Sequence, residues 1–155
     1  MGEKLRVAFA ASSGGHLEQL LRLKPLMERY DSFIVTERAG YDVSVPGVDT
    51  LYLHQVNRQE AGFIPFMLLN LLGSIKIMLA RRPQVVICTG VLAMIPLCLL
   101  AKLTGGTLVY IESFAKVSSP TLSGKLLYRF ADRFYVQWET MREFYPKAVC
   151  LGGIY

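Results

Sequence analysis

Two periodicities alternate along this chain, and that alternation limits the fold more than any other feature. Short β-branched and aromatic runs occupy residues 5–10, 32–36, 50–53, 84–88, 107–111, 133–136 and 148–151. Stretches of helical pattern lie at 15–29, 63–80, 92–103, 122–130 and 139–144. Strands joined through helices form a mostly parallel sheet with right-handed crossovers. The run Val85-Val86-Ile87-Cys88 carries no polar alternation, as expected of a strand covered on both faces. The expected fold class is α/β, a Rossmann-like parallel sheet flanked by helices. At 155 residues the chain reads as a single domain, 1–155, large enough to bury its own core.

A parallel sheet of this kind places its site outside the carboxyl ends of the strands. The residues at those ends are Ser12-Ser13-Gly14-Gly15-His16, Thr36-Glu37-Arg38, His54-Gln55, Thr89-Gly90, Glu112-Ser113 and Gln137-Trp138. Both histidines of the chain fall on this rim. Gly14 and Gly15 permit backbone angles that other residues resist, and the helix after them offers free N–H groups and a partial positive charge. A phosphate or diphosphate suits such a turn, more so because two serines and a histidine join the glycines; the alternative is a tight strand-to-helix connection with no ligand. The turn is not a dinucleotide fingerprint, which requires G-x-G-x-x-G. Glu37 could still play the ribose-binding acid of such a protein, so a Rossmann oxidoreductase stays open. His16, in the first helical turn, is a candidate general base for an attacking hydroxyl, or a residue that only bonds a neighbouring loop.

Charge is uneven. Residues 1–60 carry seven basic and eight acidic side chains; residues 61–155 carry ten and four, a net of +6. An excess of this kind draws phosphates, nucleic acid or anionic lipid, or is simply a solvated face. No aromatic-basic platform is present, so nucleic acid is not expected as a partner. Cys88, Cys98 and Cys150 are odd in number and sit in apolar runs, which reads as reduced thiols in the cytosol. The His and Cys spacings suit no metal site. No signal peptide is expected, and Met1-Gly2 is not a myristoylation start because position 6 is Arg.

Residues 63–80 hold a single charge, Lys76, and run into Arg81-Arg82-Pro83. A membrane span wants about 20 apolar residues. Pro65, Asn70, Gly73, Ser74 and Lys76 interrupt this one, and a span would break the crossover between two parallel strands. Asn70, Gly73, Ser74 and Arg81 share a narrow stripe at helical spacing, leaving a wide apolar face. The expectations are a crossover helix buried on the sheet, or one that lies on an anionic bilayer through Phe63, Phe66 and Met67, with Arg81 and Arg82 reaching headgroups.

The glycine turn resembles the first glycine loop of membrane-associated glycosyltransferases that build lipid-linked sugars. The segments 110–117 (Tyr-Ile-Glu-Ser-Phe-Ala-Lys-Val), 119–125 (Ser-Pro-Thr-Leu-Ser-Gly-Lys) and Gln137-Trp138 are similar to bacterial capsule and exopolysaccharide subunits akin to the membrane-anchoring subunit of the dolichol-linked N-acetylglucosaminyltransferase. The resemblance implies the N-terminal, acceptor-side half of a GT-B enzyme. A separate small C-terminal-domain-like subunit would hold most of a UDP-sugar donor. The acceptor would be a polyprenyl-diphosphate-linked sugar, transfer would invert the anomeric centre, and no cofactor or metal would be needed. It implies His16 and Glu112 as catalytic candidates, and Ser12, Ser13, Gly14, Gly15, Thr89, Gly90, Ser113 and Lys116 around the acceptor and its phosphates. Lys116 stands where many relatives have arginine, keeping the charge without the planar fork. The implied place is the cytoplasmic face of the plasma membrane, bound peripherally. A non-catalytic recruiter of a separate catalytic subunit is the alternative.

Overall fold

Every strand of the sheet is parallel to its neighbours. The computed structural model describes residues 4–155; residues 1–3 lie outside the described residues, and with them the Met1-Gly2 start. The strands are β1 (Arg6–Ala11), β2 (Asp31–Glu37), β3 (Asp49–Leu53), β4 (Val85–Gly90), β5 (Thr107–Ile111), β6 (Arg133–Val136) and β7 (Val149–Cys150), in the order β3-β2-β1-β4-β5-β6-β7. The order reverses between β1 and β4, which opens a crevice where the connections leave in opposite directions. The helices are α1 (Gly15–Leu21), α2 (Lys24–Met27), α3 (Phe63–Arg81), α4 (Ile95–Leu103) and α5 (Leu122–Leu127). The Rossmann-like α/β class expected from the sequence is the class observed.

Alternate residues of the strands feed two cores. Ala8, Ala10, Val86, Cys88, Leu108 and Tyr110 face α3, α4 and α5. Val7, Phe9, Ala11, Ile34 and Ile87 face α1 and α2. Burial on both sides explains why these strands read as unbroken apolar runs.

Several expected boundaries move for local reasons. The pattern at 15–29 is two helices, because Pro25 in the first turn of α2 has no N–H for the carbonyl four residues back. The stretch 92–103 begins as a 3-10 turn at Leu92–Met94 before α4. Glu139–Glu143 is a 3-10 turn instead of an α-helix. α5 ends at Leu127, not at 130; its start is capped by Thr121, whose Oγ accepts the Gly124 N–H at 2.8 Å.

The orientation of α3 separates the two expectations for it. Its polar stripe faces inward. Asn70 is fully buried and accepts the His54 N–H at 2.7 Å while donating to the His54 carbonyl at 2.9 Å. A Cβ at Gly73 would come within 2.8 Å of Leu53, and Arg81 pairs with Asp49 at 2.8 Å. The residues left outside are Ile64, Leu68, Leu72, Ile75 and Leu79, exposed by 36–70%. The helix is a crossover helix, as expected, but it presents its apolar side to solvent. Among the described residues it is the one helix long and apolar enough to cross a membrane.

Candidate functional site

The ends of β1, β4 and β5 and the start of α1 build the floor of the crevice. β1 stops at Ala11, and Gly14 takes a φ of 75°, which turns the chain into α1 at a backbone angle that favours glycine. The Ser12 N–H donates to the Gly90 carbonyl at 2.7 Å, and the Val91 N–H donates to Ser12 Oγ at 3.1 Å. These bonds tie the glycine turn to the end of β4.

His16 is held by the same strand. Its Nδ1 lies 2.9 Å from the Thr89 carbonyl, and Thr89 Oγ1 donates to the His16 carbonyl at 2.7 Å. A carbonyl only accepts, so Nδ1 carries a proton and Nε2 is the nitrogen left free of this bond. A backbone carbonyl orienting one ring nitrogen while the other stays available is how a positioned imidazole is made ready to take a proton. Gly90 leaves the ring its place: a Cβ there would lie 2.7 Å from Nδ1.

His16 lines a crevice of about 350 Å³ together with Arg58, Lys116, Thr121, Ser123, Val91 and Leu92, the last at the start of the 3-10 turn. The structure thus brings His16 and Lys116 to one cavity. Arg58 and Ser123 were not among the sequence candidates. Ser123 lies in the 119–125 segment that carries the family resemblance. Arg58 has no such signal; it is an isolated cation in a polar loop.

Glu112 lies behind this crevice. It is 1% exposed. Its Oε1 accepts the Ser113 N–H at 3.0 Å, its Oε2 accepts the Tyr145 hydroxyl at 2.7 Å, and Thr121 donates through its N–H at 3.3 Å and its hydroxyl at 3.1 Å. Burial first, and then the bond to Glu112, push the Tyr145 phenol well above its usual range, so it stays a donor. The carboxylate therefore joins β5 to the Thr121 cap and so to the crevice wall. Ser113 is also buried, its Oγ accepting the Ala115 N–H at 3.3 Å.

Glu37 is engaged in the same manner. It is buried, with Oε2 accepting from both the N–H and the hydroxyl of Ser13 at 3.1 Å and Oε1 accepting the Val56 N–H at 3.3 Å. Ser13 is consequently bound to an internal carboxylate, and the side of the turn left open is Gly15 and the first amides of α1, which a helix start leaves without intrahelical partners. The ribose-binding role considered for Glu37 conflicts with these three bonds. Gln137 closes the floor, its Nε2 donating to Gln19 at 2.8 Å and to the Glu112 carbonyl at 2.9 Å.

His54 is on the rim but outside the crevice, stacked on Phe66 with ring centroids 5.6 Å apart. The residues expected to touch a bilayer do not form one patch. Phe63 and Met67 are half-buried in a groove between α3 and α4. Arg81 is turned to Asp49 and to the Phe33 ring, 5.7 Å away. Arg82, exposed, caps the far end of α3 in a left-handed conformation, about 28 Å from Phe63 at 1.5 Å per residue. Among the described residues no three His, Cys, Asp or Glu side chains are grouped to hold a metal ion.

The chain is similar to known proteins. The family described as "Oligosaccharide biosynthesis protein Alg14 like" matches residues 53–154. UDP-N-acetylglucosamine transferase subunit ALG14 of Mus musculus is 31% identical over 185 residues, covering 98% of this chain and 84% of that protein. The subunit of the same name from Schizosaccharomyces pombe is 42% identical over 91 residues, covering 54% of this chain and 43% of that one. Among solved structures, MurG of Acinetobacter baumannii superposes with a TM-score of 0.64 at 14% identity, over 85% of this chain and 41% of its own. UDP-N-acetylglucosamine 2-epimerase from Rickettsia bellii gives 0.72 at 11% identity, over 98% and 46%. The chain spans less than half the length of these two, and at such identities the likeness concerns the fold, the GT-B-like arrangement expected from the sequence.

Proposed function

The chain belongs to the Alg14-like family of oligosaccharide biosynthesis proteins, and on that premise we propose that it is the acceptor-binding, membrane-associating subunit of a two-component UDP-sugar glycosyltransferase. The acceptor is a polyprenyl-diphosphate-linked sugar. The partner is a small C-terminal-domain-like subunit that holds most of the UDP-sugar. The whole is one acceptor-side domain working at the cytoplasmic face of the plasma membrane, with the outward stripe of α3 lying on an anionic bilayer. No cofactor or metal takes part: helix ends and hydrogen-bond donors stabilise the leaving UDP.

The observation that carries this reading is the crevice that joins His16 to Arg58 and Lys116. His16 Nε2 takes the proton of the acceptor hydroxyl as it attacks the anomeric carbon. The two cations, with the Gly15 side of the turn, hold the acceptor diphosphate. Glu112 positions the wall of the crevice through Thr121. With most of the donor held by the partner, the chain is inactive alone.

The test is transfer by the chain reconstituted with its partner, on a panel of UDP-sugars. The relatives are named for N-acetylglucosamine transfer, so UDP-N-acetylglucosamine belongs on the panel beside the hexosyl and glucuronosyl donors that a capsule or exopolysaccharide product would call for. His16→Ala should lower turnover about 10²–10⁴-fold. Activity of the isolated chain would overturn the two-component reading. A recruiter without catalytic residues is the second reading, supported by the burial of Glu112; it predicts that His16→Ala leaves turnover and complex formation alike unchanged.

A further inference from the structure

The groove between α3 and α4 has no part in the chemistry assigned to the crevice. It measures about 470 Å³ and is lined by apolar side chains only, among them Phe63, Met67, Leu71, Pro96, Leu99 and Leu103. That is roughly three times the ~150 Å³ cavity that accommodates a benzene ring. Leu71 is 37% exposed and Leu103 82% exposed, so the groove is open along its length. Both helices start at the rim of the sheet that carries the crevice. Leu92 lines the crevice and Ile95, three residues on, lines the groove. Arg58 lines the crevice and Phe63, five residues on, lines the groove. A polar cavity with two cations and an imidazole therefore adjoins an apolar channel without a hydrogen-bonding side chain.

The chemistry of the lining suits a branched apolar chain. The residues that dominate binding at protein interfaces are Trp, Tyr and Arg. This groove has none of these; eight of its ten lining side chains are aliphatic, and the other two are Phe63 and Met67. The outward stripe of α3 continues it, so an occupant can pass from the groove to a bilayer without crossing a polar surface.

We propose that the groove holds the first isoprenoid units of the lipid-linked acceptor, next to a diphosphate seated in the crevice. The proposal rests on the acceptor class assigned under the proposed function and adds to it a tail subsite that shares Ile64 and Leu68 with the bilayer-facing stripe and reaches from there to Leu71 and the α4 side chains. The crevice binds the anionic head and the groove binds the branched apolar chain. Tail length then contributes to affinity even when no membrane is present.

The experiment is equilibrium binding of geranylgeranyl diphosphate, below its micelle concentration, to the full chain alone and with its partner. Inorganic diphosphate and hexadecyl phosphate serve as comparison probes. Geranylgeranyl diphosphate is expected to bind at least tenfold more tightly than diphosphate. Leu71→Gln and Leu103→Gln, at positions already exposed, should remove most of that advantage while leaving diphosphate binding, thermal unfolding and flotation with anionic vesicles unchanged. Equal affinity for geranylgeranyl diphosphate and diphosphate would overturn the proposal. So would equal affinity for hexadecyl phosphate, or groove variants that lose partner or vesicle binding instead. Loss of sugar transfer with intact chain-dependent binding would count against the glycosyltransferase reading and leave the tail subsite standing.

Discussion

A methyl group at position 90 would sit against the His16 ring, on a residue whose φ of 124° already favours glycine. Gly90→Ala should therefore tilt the imidazole away from the Thr89 carbonyl. A misplacement of about 1 Å costs on the order of 10²-fold in rate, so kcat of the reconstituted pair should fall by that order while complex formation persists; both are read from one titration. Glu112 predicts the opposite pattern. Gln in its place replaces one acceptor oxygen by an NH₂ group among donors from Ser113, Thr121 and Tyr145. Leaving a buried donor unmatched costs about 1–3 kcal/mol. Glu112→Gln should lower the urea midpoint clearly and kcat of the folded pair only slightly; a loss of several hundredfold in kcat would make Glu112 the base. The sequence marked both residues as strand-end polar groups, and strand-end position does not say which of them faces the cavity. Glu112 turns inward because Tyr145, 33 residues later, returns to meet it.

The third helix contradicts the ordinary rule for amphipathic helices, and it does so with identifiable partners. Asn70 is buried because it substitutes for the ladder partners that the His54 backbone loses at the end of β3. Asn70→Leu should make the helix more apolar yet destabilise the protein, by about 1–3 kcal/mol, measurable in a denaturant titration. Substituting the outer stripe has the reverse signature. Leu72 and Leu79 are 56% and 70% exposed, so Leu72→Lys with Leu79→Glu should leave stability within about 0.5 kcal/mol. Full burial of one such side chain is worth about 1.5–3 kcal/mol, and the double variant should lose flotation with anionic vesicles. Vesicle binding that survives the double substitution would remove the bilayer role from α3. The polar stripe was visible in the spacing of Asn70, Gly73, Ser74 and Arg81. Its direction was not, since periodicity identifies two sides of a helix but does not say which one the sheet will cover.

Across the whole molecule, acid stability offers a check on how the sheet is tied together. Asp132 accepts from Lys102 at 2.7 Å and from the Leu108 N–H at 2.7 Å, joining α4, β5 and the approach to β6. The Lys102 hydrogen bond is the main cause that holds its carboxyl below the ordinary aspartate range. A lowered value in the folded state means stability that is present above the unfolded value, near 3.9, and lost as pH falls through the folded one. Asp132 is 39% exposed, so the pair contributes less than about 1 kcal/mol. Asp132→Asn should lower the urea midpoint slightly at pH 7, and the difference should close in strong acid. The sequence by itself determined the alternating strands and helices, and therefore a parallel sheet whose strand ends share one rim; strand periodicity and crossover chirality are local consequences of residue type. It also named the turn that carries His16 as a candidate site. The tertiary structure alone decided that Arg58 joins that rim, that Glu37 and Glu112 are consumed by internal donors, and that α3 faces outward. Each of those depends on groups far apart in the chain meeting in space, and no local periodicity records such a meeting.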